Sequence, residues 1–434
     1  MTQLKRDLGL FSCTLLVAGN MIGIGIFVTA GRIYALLPNP SYIFLAWLIG
    51  GFLSVCGGLV YAELATRFPR AGGGYIFLSK SLGPMWGFLA GFAASMVTVP
   101  GTVAFLAIGV TKYLGILDPS IAKIVGISVI LGISWINYRG VLQGAWLQDG
   151  FMILKLALIF GLVFVGFLSS NGSLEHFFMT APLQLSLMAA LPLALVPIMY
   201  TYSGWDTTAF IAGEVKDPRR TLPFSMLFGT LLVAAVYISL VALYLYAIPV
   251  TSSIGKERIV TAVASVLFGT VVGKVVGSLV AVSVLGCLTA SILVGPRVIY
   301  AMAKDGFLPK FAAQVHPRFF TPGKAIVLHA VLACLLLISG TFEQLLDYVT
   351  VPSVLFAALN GVGLFFVRAR NQSDEGASVY KSFGYPVLPT LFVMGMLWIV
   401  GNTILKDPTN SLWGLGMVAF GIPLYVIWKK KGSL

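Results

Sequence analysis

Twelve stretches of this chain are long and apolar enough to cross a lipid bilayer. A spanning helix needs about 20 predominantly apolar residues, because the hydrocarbon core of a bilayer is about 30 Å thick. Only 10% of the residues are charged, and little chain remains between the stretches. We therefore predict an all-α polytopic membrane protein with twelve transmembrane helices and no soluble catalytic domain. The stretches lie near residues 10–33, 42–65, 84–111, 120–137, 150–169, 185–212, 223–248, 274–302, 325–340, 346–367, 386–404 and 410–428.

The basic residues predict the orientation of the chain. The formal net charge is +13, which by itself would fit an anionic partner such as nucleic acid. If the amino terminus is cytoplasmic, however, most of the 28 Lys and Arg residues lie in cytoplasmic loops and tails, as the positive-inside rule requires. We expect both termini, including the tail WKKKGSL, in the cytoplasm. The expected location is the cell (plasma or inner) membrane, with the lipid bilayer and not nucleic acid as the partner.

Two of the apolar stretches are interrupted near their middles. The first reads AGNMIGIGIF over residues 18–27, and the sixth reads YTYSGWD over residues 200–206, after Pro192 and Pro197. A backbone group left unpaired in hydrocarbon costs several kcal/mol, so non-helical chain at this depth survives only inside protein or along a watery cavity. Paired interruptions of this kind are typical of the central site of a transporter built from inverted repeats.

The breaks predict how the single domain, residues 1–434, is organised. They would lie in the first helices of two five-helix repeats of inverted topology, over residues 10–169 and 185–367. Residues 386–428 would then form two additional helices. A short helix is also predicted in the loop that reads ERIVTAVASVLFG, because its apolar residues recur at helical intervals.

Unwinding a helix exposes N–H groups on one half-helix and carbonyl groups on the other. The N–H end attracts an anion and the carbonyl end attracts a cation, so one small zwitterion, such as a free amino acid, satisfies both. The alternative is close helix packing, because Gly19 and Gly23 form a G-x-x-x-G pair. The matching break in the sixth stretch favours a binding site.

Several ionisable residues fall within the apolar stretches. Lys155 either snorkels to the inner surface or has a buried partner, and in the second case its ammonium would replace a sodium ion or take part in proton coupling. Asp206 either selects a cationic substrate or bonds within its helix. Arg297 either joins a cytoplasmic gate with acidic partners or snorkels, and Glu63 is interpreted as a loop anchor.

Seven segments distributed over nearly the whole chain carry a family resemblance. The chain resembles the amino acid, polyamine and organocation transporters, and among them the L-type amino acid transporter branch and its bacterial relatives. The segments are GNMIGIGIF (19–27), YAELATRFPRAGGGY (61–75), INYRGV (136–141), ILK (153–155), YTYSGWD (200–206), AGEVKDPRRTLP (212–223) and PRVIYAMAKDGFLPK (296–310).

The resemblance implies the inverted-repeat fold of the bacterial leucine transporters and a set of site residues. It implies that the substrate carboxylate meets backbone N–H groups in the first break, and that the substrate ammonium meets carbonyl groups of both breaks. Tyr200 matches the aromatic gate, and Lys155 matches the lysine associated with sodium independence. The expected N–H donors are Gly23, Ile24 and Gly25, and the expected carbonyl acceptors are Met21, Tyr200, Thr201 and Ser203.

Departures from the family pattern refine the prediction. Ile24 stands where serine is usual, and Ser203 stands where relatives with large aromatic substrates often have glycine, so the pocket should suit small to medium neutral amino acids. Gly74 replaces a frequent acidic residue. The outside loop TKYLGILDPS lacks the cysteine that animal members use to bond a glycoprotein, so we expect no disulfide-linked accessory glycoprotein.

The function predicted is sodium-independent transport of neutral L-amino acids by alternating access, as an exchanger. Proton-coupled symport and transport of cationic amino acids or polyamines are the alternatives. A channel would be expected to have a continuous polar lining, and a sensor a larger cytoplasmic module. The three scattered histidines offer no metal-ligand spacing, and no nucleophile is paired with a base, so neither a metal, a cofactor nor enzymatic activity is expected.

Overall fold

The computed structural model describes residues 6–116, 118–180, 182, 186–256, 258–339, 342–374, 379–406 and 408–430, so the last four residues of the tail WKKKGSL lie outside them. Within these ranges the chain forms helices and no β-strand, which confirms the all-α class. In chain order the α-helices are α1 (Leu10–Met21), α2 (Gly25–Val28), α3 (Ala30–Leu36), α4 (Pro40–Arg67), α5 (Gly74–Ser81), α6 (Pro84–Ala93), α7 (Val99–Tyr113), α8 (Pro119–Arg139), α9 (Val141–Phe167), α10 (Leu187–Tyr202), α11 (Thr207–Phe210), α12 (Pro218–Ala247), α13 (Val250–Ser253), α14 (Ile259–Phe268), α15 (Thr270–Lys304), α16 (Gly323–Ser339), α17 (Phe342–Ala369), α18 (Val387–Lys406), α19 (Pro408–Ala419) and α20 (Gly421–Lys430).

Nine helical segments of the described chain are long and apolar enough to cross a membrane. Three of the apolar stretches noted in the sequence fall instead on shorter apolar helices, Leu187–Tyr202, Gly323–Ser339 and Gly414–Trp428. The first of these is short because the break after Tyr202 ends it. The chain is thus a multi-pass membrane protein, and the count of twelve spans stays a prediction.

Local sequence explains where several spans begin. Asn39 and Asp118 precede α4 and α8, and their side chains accept hydrogen bonds from the N–H groups of Ser41 and Ser120, each at 2.9 Å. In both helices the next residue is a proline, which is favoured at the first helical position because the N–H donor that it lacks would have no partner within the helix there. The predicted loop helix is also present, as α14.

The two interrupted helices lie together inside the bundle. Helix α1 packs against α9, α12 and α15, and α10 packs against α4 and α18. Across the breaks, α2 contacts α10, and α11 contacts α1. Residues 21–27 are all buried. The non-helical backbone is therefore enclosed by protein instead of facing lipid, which is the condition for its survival in a membrane.

A cluster of three buried aromatic side chains lies beside the breaks. The ring of Trp47 lies 5.7 Å from that of Tyr202 and 5.5 Å from that of Tyr237, and the two tyrosine rings are 5.0 Å apart. The Tyr202 hydroxyl donates to the carbonyl of Trp47 across 3.2 Å. These tilted and edge-to-face contacts join α4, α10 and α12 and support the end of α10, where the second break begins.

Candidate functional site

The first break replaces about one turn of helix with residues Ile22 to Ile24. The N–H of Gly23 donates to the carbonyl of Met21 across 2.8 Å, which forms a tight turn. The N–H groups of Ile24 and Gly25 open the second half-helix, so they precede its hydrogen-bonded ladder. The half-helix offers these two N–H groups to a ligand, whereas the N–H of Gly23 is engaged within the break in this conformation.

The second break follows α10 and consists of a turn from Ser203 to Asp206. Gly204 has a φ of 114°, a conformation that favours glycine because it has no Cβ. The carbonyl of Tyr200 accepts hydrogen bonds from the N–H of Ser203 at 3.1 Å and from its hydroxyl at 2.7 Å. The side chain of Ser203 is exposed and is one of those that line the central cavity described below.

The two breaks lie against each other at positions occupied by glycine. A Cβ added to Gly25 would lie 2.6 Å from the Oγ1 of Thr201, and one added to Gly204 would lie 3.0 Å from the Nδ2 of Asn20. The Asn20 amide donates to the Oγ1 of Thr207 across 2.7 Å. The glycines therefore permit a backbone approach that alanine would obstruct, and Asn20 links α1 to α11.

Tyr237 of α12 connects the two breaks and was missed by the sequence reasoning. Its hydroxyl lies 2.6 Å from the carbonyl oxygen of Met21 and 2.9 Å from that of Thr201. A phenol has one proton and can donate to only one of these carbonyls at a time, so the other keeps a lone pair for a different donor, although the carbonyl of Met21 also accepts the N–H of Gly23. The available signal was a tyrosine near the middle of a predominantly apolar span, because a buried hydroxyl needs a partner.

A cavity of about 230 Å³ lies between the breaks. Its walls also include side chains of α4, α7, α15 and α17, among them Tyr61, Thr102, Ser291 and Asn360. Since a water molecule takes about 30 Å³ in the liquid, the space suits a small molecule. The fold brings together all seven substrate-contact residues predicted from the sequence, which are Met21, Gly23, Ile24, Gly25, Tyr200, Thr201 and Ser203.

Tyr200, the expected aromatic gate, lines the central cavity. Its ring is partly buried and packs edge-on against the ring of Phe105 of α7, with the centroids 6.0 Å apart and the planes at 88°. The contact joins the first half of the broken helix α10 to α7. A change in the position of either helix would therefore open or close the contact at this wall of the cavity.

Lys155 of α9 reaches the first break from outside the cavity. Its side chain is only 1% exposed, and its ammonium donates to the carbonyl of Gly19 across 3.2 Å and to that of Ile22. This position excludes the alternative in which the side chain snorkels to the membrane surface. No carboxylate of the described chain lies within ion-pair distance of the ammonium. The cation therefore neutralises backbone carbonyl dipoles that the break leaves without N–H partners.

Arg297 has an acidic partner, Glu214, and does not snorkel to the membrane surface. Both Arg297 and Glu214 are fully buried, and their side chains make two parallel hydrogen bonds of 2.8 and 3.1 Å. The backbone carbonyl of Glu214 accepts hydrogen bonds from the N–H groups of Asp7 and Leu8 at 3.0 and 3.1 Å. This arrangement ties the segment before α1, the segment after α11 and helix α15 together at one end of the bundle.

Glu63, which the sequence analysis interpreted as a loop anchor, and Trp205, which follows Gly204 in the second break, both pack against neighbouring elements. Glu63 is fully buried and accepts hydrogen bonds from Arg368 and from the N–H of Ser382, so it anchors the segment that follows α17, as predicted. Trp205 is a packing residue, 6% exposed and edge-on to Phe392.

Comparison with known proteins identifies similar chains. A sequence profile described as amino acid permease matches residues 8–428. The serine/threonine exchanger SteT of Bacillus subtilis is 30% identical over 99% of this chain and 98% of its own length. The human cystine/glutamate transporter is 26% identical over 99% of this chain and 87% of its own length. The human large neutral amino acids transporter small subunit 2 is 25% identical, with coverage of 99% and 82%.

Proposed function

This chain belongs to the amino acid permease family, and we propose that it is a sodium-independent secondary transporter that exchanges small to medium neutral L-amino acids across the cell membrane. The observation that carries the proposal is the single cavity shared by the two breaks, with the ammonium of Lys155 on the carbonyls of the first. The members compared above are transporters or exchangers of amino acids, and none is an enzyme.

The two breaks suit the head group of an amino acid. The carboxylate would bind the N–H groups of Ile24 and Gly25, with that of Gly23 released from its turn. The ammonium would bind whichever of the carbonyls of Met21 and Thr201 the Tyr237 hydroxyl leaves free, together with the carbonyls of Tyr200 and Ser203. The ligands are mostly backbone atoms, so they recognise any amino acid and leave selectivity to the side chains of the cavity.

The size of the substrate would be limited by Ser203 and Tyr200. The serine side chain occupies space that glycine would leave open, and the tyrosine ring forms a wall. The relatives compared above are named for serine and threonine, for cystine and glutamate, and for large neutral amino acids, so family membership alone does not choose among these substrates. Small to medium neutral amino acids fit the remaining space best.

The proposed independence from sodium depends on Lys155. A bound sodium ion would need oxygen ligands such as the carbonyls of Gly19 and Ile22, and the ammonium already donates to both of them. The ammonium of Lys155 therefore occupies the position on these carbonyls that a sodium ion would otherwise take. Because it remains attached to the protein, transport needs no sodium gradient.

Alternating access would use the broken helices as moving parts. We assign α1 to α9 to one five-helix repeat and α10 to α17 to the second, inverted repeat, with α18 to α20 forming the two additional spans of a twelve-span leucine-transporter-like fold. The Glu214–Arg297 pair and the backbone bonds of Asp7 and Leu8 would form a cytoplasmic gate. Both termini are then cytoplasmic, and the chain works without a disulfide-linked accessory glycoprotein.

Counterflow in proteoliposomes tests this function. Vesicles that contain the purified protein are loaded with an unlabelled amino acid, and the uptake of a panel of labelled amino acids is measured with sodium replaced by choline. We expect internal serine or threonine to accelerate the uptake of small neutral amino acids. The proposal would be wrong if no amino acid showed counterflow, or if counterflow required sodium.

Two alternative functions draw support from Asp206, a carboxylate in the wall of the cavity. A carboxylate there suits either a substrate with a cationic side chain, such as a cationic amino acid or a polyamine, or a proton that moves with a neutral substrate. Lysine, arginine and putrescine in the labelled panel separate the first alternative from neutral amino acid transport.

A further inference from the structure

A groove of about 410 Å³ lies between α9, α14 and α15, outside the central cavity. Its volume is within the range of pockets that hold small molecules, about 300–1,000 Å³. All of its lining residues except Lys155 and Ser283 lack polar side-chain atoms. The ammonium of Lys155 already donates to two carbonyls of the first break, so its methylene stem is the part left to line the groove. Such a wall suits a hydrocarbon and not an amino acid.

The groove opens on the outer surface of the bundle. Val165 of α9 and Val272 of α15 line it and are 51% and 40% exposed, and Gly161 on the same wall is also exposed. Beside the groove on α9, Phe160 and Phe164 are 46% and 69% exposed. Both helices are long and apolar enough to cross a membrane. An exposed apolar surface on such helices faces the hydrocarbon of the bilayer.

The groove extends along α9 for the depth of one lipid leaflet. Its lining on this helix runs from Lys155, at the middle of the helix, to Val165 near its end. These ten positions correspond to about 15 Å along a helix, and half of the bilayer hydrocarbon core is also about 15 Å thick. Polar groups begin just beyond Val165, where the hydroxyl of Ser169 donates to the carbonyl of Leu267 across 3.0 Å. One acyl chain of a bilayer lipid covers the same depth.

An empty groove of this kind is unfavourable in a membrane. Side chains along a void have no partner atoms on one side and lose their dispersion contacts there. No segment of the described chain fills the groove, and water would find too few polar partners in it. Acyl chains surround the protein in the bilayer and are as apolar as leucine side chains. An acyl chain is therefore the occupant that both the wall and the surroundings favour.

The deep end of the groove adjoins the first break. Phe27 of the half-helix α2 lines it together with Lys155, and the ammonium of Lys155 bonds to the carbonyls of Gly19 and Ile22. We propose that the groove binds one acyl chain of a bilayer lipid, with the end of the chain against Phe27 and the methylene stem of Lys155. The bound chain excludes water from the lysine and supports its contacts with the break.

Photochemical labelling in proteoliposomes tests this site. The full-length protein is reconstituted in palmitoyl-oleoyl phosphatidylcholine with a small fraction of phosphatidylcholine that carries a diazirine on one acyl chain. The diazirine is placed either at the end of the chain or near the ester, and labelled residues are identified by mass spectrometry after irradiation. The terminal probe should label Phe27 or Lys155, whereas the probe near the ester should label Val165 or Val272.

Gly161→Phe fills the groove, and Gly150→Phe is the matched control. A Cβ at either glycine of α9 meets no atom within 4 Å, and both positions are exposed, but only Gly161 lines the groove. Gly161→Phe should abolish terminal-probe labelling of Phe27 and Lys155 and leave that of the lipid-facing Phe164 unchanged. Gly150→Phe should keep the wild-type pattern.

Two results would overturn the proposal. If the terminal probe labels Phe164 but neither Phe27 nor Lys155 in the wild type, no acyl chain enters the groove, and another occupant such as a helix of a second copy covers it. If Gly161→Phe keeps the wild-type labelling at Phe27 and Lys155, the chain does not pass through the groove. The wild-type comparison of the two probes is decisive even if Gly161→Phe does not fold. Neither result depends on transport, so the proposed function is tested separately by counterflow.

Discussion

Replacing Gly25 with alanine tests whether the contact between the two breaks controls substrate binding. The added Cβ would lie 2.6 Å from the Oγ1 and 3.0 Å from both the Cα and the Cβ of Thr201. Rotation of the threonine side chain can relieve only part of this overlap, because the Cα belongs to the backbone. The breaks would have to separate by several tenths of an ångström.

The expected cost of this separation is that of overpacking a tight contact, about 1–3 kcal/mol. If the cost falls on the enclosed, substrate-bound state, the apparent affinity for substrate decreases by about 5- to 150-fold, since 1.4 kcal/mol corresponds to a factor of ten. The assay is the concentration dependence of serine counterflow, together with serine binding to the purified protein in detergent.

Gly132→Ala in α8 is the matched control, because a Cβ at Gly132 meets no atom within 4 Å. It should leave affinity unchanged. Thr201→Ala combined with Gly25→Ala should recover part of the loss, because it removes the Oγ1 but not the Cα of residue 201. If Gly25→Ala binds and transports serine like the wild type, the close contact between the breaks does not control the site, and our reasoning about their geometry is wrong.

Three further substitutions give separate tests. Lys155→Ala should reduce sodium-free counterflow at least about tenfold, because two backbone carbonyls lose their donor. Lys123→Ala is the control, because it removes a partly buried lysine that also donates to a carbonyl but lies away from the breaks, and equal activity in both variants would refute the role of Lys155. Ser203→Gly should allow phenylalanine to compete with labelled serine at about tenfold lower concentration, and an unchanged inhibition curve would contradict the proposed limit on substrate size. Glu214→Gln should lower the free energy of unfolding in detergent by about 3–5 kcal/mol, because it leaves the buried Arg297 without an ionic partner. A loss below about 1 kcal/mol is expected for an exposed ion pair and would contradict the structural importance of the Glu214–Arg297 pair.

The helices and the breaks could be predicted because they depend on properties that are local along the chain. An apolar run of about 20 residues has to be helical in a bilayer whatever surrounds it. The glycines of residues 19–25 and the prolines before Tyr200 weaken helix at their own positions. Those two signals placed the breaks, the family resemblance assigned the seven expected substrate-contact residues to them, and these residues lie around one cavity in the structure.

The partners of the buried polar groups could not be predicted in the same way. Tyr237 reaches the breaks from a helix that carries several hydroxyl side chains, and the sequence does not show which of them faces the breaks. Glu214 and Arg297 are 83 positions apart, and the sequence left open whether the arginine had an acidic partner or reached the membrane surface. The same was true of Lys155, for which a position near the start of its span fitted both snorkelling and burial.

The sequence by itself determined that the chain is an all-α membrane protein of the amino acid permease family, with two helices that are interrupted near their middles. These properties follow from hydrophobicity, from backbone preferences and from motifs, all of which are read along the chain. Only the tertiary structure decided that Lys155 contacts the first break, that Tyr237 spans both, and that Asp206 lies in the wall of the central cavity. Such contacts depend on how helices distant in sequence are positioned and oriented against one another, and no local pattern records that arrangement.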